Sequence, residues 1–257
     1  MKKIILALIS YYFIAAAAHA QADNQFSILA LAIPNKYHYE YIPVARDSME
    51  QLSRLHKFDV TWTNQVHSFD GDLSQYAAIV FMNTSGEELN EAQRKNLENY
   101  MRKGGNAMIV HRGIITQSGD WPWYEKMVGR SFRIHPMMQT AVVNVVDHSF
   151  PATFGIPARW LWTDEWYEFT NPHQVKINPV LKVDENSYDP TKIWPGQHAE
   201  GMGEDHPVAW YHTYEKGRVF VTALGHDVEM YKDQNYLNHL FGGLYWAATG
   251  KGIQTKR

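Results

Sequence analysis

GRVFVTALGHD, residues Gly217 to Asp227, reads as a strand buried on both faces that stops on a glycine and then presents a histidine and an aspartate together. A turn alone would need only Gly-Asn or Gly-Asp. The fold turns on whether other strands end the same way, and two do. FSILALAI (Phe26 to Ile33) runs into a Pro34-Asn35-Lys36-Tyr37-His38 loop, and NAMIV (Asn106 to Val110) ends directly on His111. A further buried run, YAAIVFM (Tyr76 to Met82), ends on Asn83-Thr84-Ser85.

Between these runs lie helical patterns. Ile42, Ala45, Met49, Leu52 and Leu55 recur at helical spacing, and Phe58 to Thr63 alternates like a strand. Asn90 with Gln93 forms a capping box for a helix facing inward with Leu97, Tyr100 and Met101 and ending on Arg102-Lys103-Gly104. Strands alternating with helices predict an α/β chain: a three-layer αβα sandwich around a mostly parallel sheet with helices on both faces. The second half adds strands at Ala141 to Val146, Val180 to Val183, Val208 to Tyr211 and Val219 to Leu224. The last two are joined by a turn at Glu215-Lys216-Gly217, and this part of the sheet is expected to be an antiparallel extension. A final helix, capped by Asp233 and stopped by Gly250, buries Leu237, Leu240, Phe241, Leu244 and Tyr245. Asp184 to Asp205 lacks periodicity and reads as a surface excursion of the kind used for lids and binding segments.

The chain opens with Lys2 and Lys3, an apolar run from Ile4 to Ala18, and a small-x-small site at Ala18-His19-Ala20. This pattern predicts a removable signal peptide over 1–20, an exported protein of the periplasm or the outside of the cell, and one domain over 21–257. The run is short for a bilayer span and is interrupted by two tyrosines, so stable membrane insertion is not expected. With no cysteine there is neither a disulfide nor a thiolate nucleophile or ligand. A net charge of -3 without any basic run argues against nucleic acid.

Ligands of open α/β sheets bind outside the carboxyl ends of the strands. His38, His111 and His226 all follow strands there, with Asn83, Arg112 and Asp227 beside them. Asp164-Glu165-Trp166-Tyr167-Glu168-Phe169, if extended, places Asp164, Trp166 and Glu168 on one face and Glu165, Tyr167 and Phe169 on the other. Such a segment can be a solvated strand surface, or it can offer a carboxylate beside a ring. His135 and His206 each precede a proline and are expected to stand behind the site, whereas His148 is read as structural. Histidines with one carboxylate can bind a divalent ion such as zinc or serve as acid and base, and spacing does not choose between these. GxGxxG, P-loop, G-x-S-x-G and HExxH motifs are absent, so no nucleotide cofactor is expected and a serine hydrolase is disfavoured. The tryptophans, Trp194 among them, are mostly core residues by default, though a few near the strand ends could stack on a sugar ring.

YHYEYIP, GGNAMIVHRG, WPWYEKMVGRSFRIHP, DEWYEF, HPVAWYHTYEKGRVFVTALGHD and YLNHLFGGLYWAATG together resemble the ThuA-like (trehalose utilisation) family. The resemblance implies a fold similar to class I glutamine amidotransferases. It also singles out His38, His111, Glu165, Tyr167 and His226, with His111 in the place of the amidotransferase nucleophile. It implies a glycoside or 3-keto-sugar as small-molecule partner. The chain departs from the family at Arg112, where small residues are usual, and at His148-Ser149-Phe150-Pro151 in place of His-Pro. The expectation is a carbohydrate-processing enzyme with His111, His226, Glu165 and His38 as catalytic groups. Tyr167, Asp227, Asn83 and Arg112 would contact substrate. The alternative is a non-catalytic carbohydrate-binding protein on the same scaffold.

Overall fold

The structure, a computed structural model, describes residues 24–116 and 119–253; the predicted signal segment lies outside them. The first half alternates as the sequence implies: β1 (Ser27–Leu31), α1 (Tyr41–His56), β2 (Asp59–Thr63), β3 (Ala78–Met82), α2 (Glu91–Arg102) and β4 (Ala107–Val110). There follow α3 (Pro122–Val128), β5 (Ser131–Ile134), β6 (Gln139–Val145), β7 (Arg159–Asp164), β8 (Glu168–Thr170) and β9 (Asn178–Asp184). β10 (Pro207–Tyr214), β11 (Gly217–Thr222) and α4 (Gln234–Thr249) complete the fold.

Nine strands form one sheet in the order β2-β1-β3-β4-β11-β10-β9-β6-β7. The strands from β2 through β11 pair in parallel, and the pairings from β11 outward to β7 are antiparallel. The antiparallel part is larger than expected because β7 was not foreseen. Its Trp160 and Trp162 alternate with exposed Arg159, Leu161 and Thr163, a half-buried edge strand rather than a doubly buried one. β5 and β8 pair in a separate two-stranded sheet. They are too short for periodicity to reveal them.

Strand side chains divide between two cores. Ile28, Ala30, Val80, Met108 and Phe220 pack with residues of α1 and α4, while Leu29, Ile79, Phe81, Ile109 and Val221 pack with residues of α2 and α3. This is the three-layer sandwich. α1, which follows β1, covers one face and α2, which follows β3, covers the other, so the chain paths diverge at the carboxyl ends of these neighbouring strands. A crevice opens at such a switch point. Among the described residues no helix is long and apolar enough to cross a membrane.

The hairpin that delivers β11 depends on close backbone approach. A Cβ added at Gly217 would stand 2.0 Å from the Gly105 carbonyl oxygen, the backbone just before β4. Gly217→Ala is predicted to destabilise the fold by about 1–3 kcal/mol in urea unfolding. Gly71→Ala, with nothing within 4 Å of the added carbon, is the control and should stay within about 0.5 kcal/mol of the parent.

Candidate functional site

Gly225 shows why the opening stretch ends as it does. Its φ of 127° is open to glycine alone, and a side chain there would strike the Tyr236 hydroxyl. Its N–H donates to Asp164 Oδ2 at 2.9 Å, and its carbonyl accepts from Asn83 Nδ2 at 3.1 Å and Tyr231 O–H at 3.2 Å. Pinned on both sides, the chain turns His226 over the end of the sheet.

His111 sits on an equally sharp bend. It follows β4 with φ 48°, in the left-handed region that non-glycine residues seldom adopt. Its Nδ1–H donates to the Ala223 carbonyl at 2.7 Å, which aims Nε2 at the Tyr167 hydroxyl oxygen, 3.0 Å away. Nε2 also lies 3.3 Å from His226 Nδ1 and 3.4 Å from Glu165 Oε2. Glu165 Oε2 is in turn 3.2 Å from His226 Nδ1 and 3.6 Å from His135 Nε2. The His38 ring stands edge-on to the other two imidazoles, with centroids 5.2 Å from His111 and 5.0 Å from His226.

Glu165 arrives from the far edge of the sheet. β7 ends at Asp164, and the chain then crosses over the sheet's carboxyl rim to β8. Asp164 is fully buried, bonded to Gly225 N–H, Glu165 N–H and the Trp162 indole N–H. The alternation expected for 164–169 survives although Glu165 to Tyr167 is not regular strand: Glu165 and Tyr167 share the histidine side. The solvated-surface reading fails, since Asp164 and Glu168 are both buried.

The cluster forms one end of a cavity of about 740 Å³ lined by His38, Glu165, Tyr167, His226, Arg112, His135, Phe132, Arg133, Ile134, Ile115, Tyr37, Trp194 and Gln197. Several expectations are corrected here. His111 is wholly buried behind this lining, because its bend points the ring beneath Tyr167 and Glu165. Asn83, also fully buried, is a brace: it joins Gly225 and Tyr231 and accepts from Arg112 N–H at 3.1 Å. Asp227 accepts from Glu229 N–H and lines a separate groove with Leu161 and Trp162. His135, expected behind the site, lies in the cavity wall because β5 runs along it. Trp194 is not core; it is partly exposed at the cavity, its ring edge-on to His135 at 5.4 Å. Its place in the 184–205 excursion was the signal. His206 does stand behind, bridging Glu185 at 2.6 Å and the Tyr167 carbonyl at 2.9 Å.

The electrostatics separate these groups. Burial, and next the charges of His111 and His226, push His38 from 6.5 down to about 3. Burial also works against a charged His226, but its hydrogen bond to Glu165 and that carboxylate's charge outweigh it and raise the ring above its ordinary value. Burial would raise Glu165, yet its contacts with His111 and His226 hold it well below the usual carboxylate range. The carboxylate therefore favours the protonated form of one imidazole beside a second whose charged form is disfavoured.

A divalent ion fits the same residues. His38, His111, Glu165 and His226 each offer a donor atom, all within 4.8 Å of one another. His38 Nε2 is buried without a partner, while Nδ1 is held 3.1 Å from Asn35 Oδ1. Orienting bonds of this kind, and the Ala223 carbonyl on His111, are those expected behind metal-binding imidazoles.

The fold is that of the glutamine amidotransferase-like α/β proteins. Residues 28–247 match the family model ThuA, described as trehalose utilisation, and the chain belongs to that carbohydrate-related family. A ThuA-like protein from Bacteroides uniformis is similar in structure, with TM-score 0.74 at 23% identity over 90% of this chain and 94% of that one. Another from Parabacteroides merdae gives 0.70 at 20% identity over 90% and 92%. PurLQS from Thermotoga maritima shares the fold more distantly, at 0.52 and 10% identity over 86% and 98%. No curated protein sequence matches.

The depressed His38 implies acid lability. Between pH 6.5 and about 3 the unfolded chain binds a proton that native His38 refuses, so stability falls as pH drops through that window. In metal-free protein, His38→Gln should flatten this decline, with His212 and His239, both lowered to about 4 by burial, and the depressed Glu165 carboxylate among the groups carrying what remains. An unchanged slope in urea unfolding across that window would remove the case for a neutral His38.

Proposed function

We propose that the chain is an exported enzyme acting on a glycoside or 3-keto-sugar, with His38 and His226 as paired base and acid. The observation that carries this reading is a pair of imidazoles with rings 5.0 Å apart in one cavity, one with an unpartnered Nε2 and the other 3.2 Å from the Glu165 carboxylate, surroundings that displace their pKa values in opposite directions. Titratable groups pushed apart by their surroundings mark acid and base assignments. His38, neutral and with a free Nε2, is suited to take a proton; His226, whose protonated form Glu165 favours, is suited to give one.

A 3-keto-glycoside suits such a pair. The proton on the carbon beside the ketone is acidic, and its removal by His38 leaves an electron pair that forms the new C=C bond. The adjacent bond to the glycosidic oxygen breaks, and His226 protonates the departing oxygen. Glu165 favours the charged form of His226, while His111 and Tyr167 hold Glu165 and His226 in place from below. His111 is thus a positioning residue.

His38→Ala, His226→Ala and Glu165→Gln should each cost about 10²–10⁴-fold in turnover of 3-keto-glycosides with the fold retained. His111→Ala should cost less and shift the pH profile. Unchanged turnover in both His38→Ala and His226→Ala, or no turnover by the parent, defeats the assignment. The latter outcome favours the non-catalytic binding protein.

The unpartnered His38 Nε2 supports a second reading, in which His38, His111, His226 and Glu165 hold a divalent ion such as zinc. When bound, the ion would polarise a carbonyl or hydroxyl of the sugar. Elemental analysis of the purified protein separates the two: about one equivalent of metal, lost in His111→Ala, favours the ion, and its absence from metal-supplemented preparations favours the acid and base pair.

A further inference from the structure

We infer that the sugar taken by this cavity carries an anionic substituent, a carboxylate or a phosphate, recognised by Arg112. The inference rests on the carbohydrate reading above and names the substrate class for the same site. Among the described lining residues the cations besides His226, whose protonated form Glu165 favours, are Arg112 and Arg133, and the one carboxylate is Glu165. Glu165 is already engaged by His111, His135 and His226. Arg133 is likewise committed, to Glu168 and Glu200.

Arg112 is placed differently. Its backbone N–H is fixed by Asn83 Oδ1 next to the strained His111 bend, and its side chain lines the cavity. Its ion-pair partner, Glu88, stands 3.5 Å from Nη2, at the limit of a hydrogen bond, with a half-exposed carboxylate. A solvated pair of that length is weak and gives way readily to a better acceptor. The guanidinium fork matches a carboxylate or phosphate with two parallel hydrogen bonds, which a neutral hydroxyl cannot reproduce.

The cationic character is local to this cavity: the chain as a whole is acidic, at -3, and Asp227, Glu229 and Asp233 line a separate groove. A cationic wall inside an acidic molecule is a local attraction rather than a general one, and a low-dielectric cavity concentrates it. Trp194, Tyr37 and His135 provide ring surfaces for the body of the sugar at the same cavity.

The test is a binding titration that needs no turnover. Methyl glucuronide, glucose 6-phosphate and neutral methyl glucoside are titrated by calorimetry at low salt into the parent, Arg112→Gln, Arg112→Lys and Glu88→Gln. At least one anionic sugar should bind the parent about tenfold or more tightly than the neutral one. The preference should vanish in Arg112→Gln, persist in part in Arg112→Lys, and grow in Glu88→Gln, where the competing carboxylate is gone. Whichever anionic sugar binds better identifies the group. Equal or weaker binding of both, no binding of any sugar, or a preference that survives Arg112→Gln would overturn the inference. Loss of the acid and base reading would show instead as intact turnover in the His38 and His226 variants.

Discussion

One buried carboxylate joins the edge of the sheet to its centre. Asp164 ends the edge strand and accepts the backbone N–H of Gly225, three residues beyond the end of the central strand β11. An ionisable group without exposure is retained only where hydrogen bonds compensate the lost water, and Asp164 has three donors around it. Burial raises its pKa, opposed by those bonds and by His111. The single contact sets where the chain crosses the rim. It therefore sets where Glu165 and Tyr167 descend onto the histidines.

From that crossing the electrostatic character of the site follows. Glu165 meets His111 and His226 within 3.4 Å, and its low pKa and the raised pKa of His226 are two sides of one attraction. His38, approaching from β1, gains no such partner at Nε2 and is left with the burial and the positive neighbours. A cluster of chemically similar side chains is in this way divided into unlike ones. The fold family alone would not supply that division, since the same scaffold carries unrelated chemistries.

Much of this was legible in the sequence because buried parallel strands are continuous apolar runs and their endings are short. FSILALAI, YAAIVFM, NAMIV and GRVFVTAL each lie in or around an observed strand, and the histidines that follow three of them do meet. What sequence could not supply was side-chain direction. Asn83 and Asp227 occupy the right rim, but one braces Gly225 from within and the other faces a different groove. His111 lies under the cavity because φ 48° turns it there, and nothing in GGNAMIVHRG records a dihedral angle. β7 was hidden for another reason: its tryptophans read as core, whereas their alternation with Arg159, Leu161 and Thr163 was the stronger sign.

The most direct measurement is the pH titration of the imidazole nitrogen resonances of His38 and His226 in metal-free protein. His226 should titrate above 6.5 and His38 far below it, and Glu165→Gln should bring His226 down while leaving His38 low. Two rings that titrate together near 6.5, with His226 indifferent to Glu165→Gln, would contradict a carboxylate that divides them.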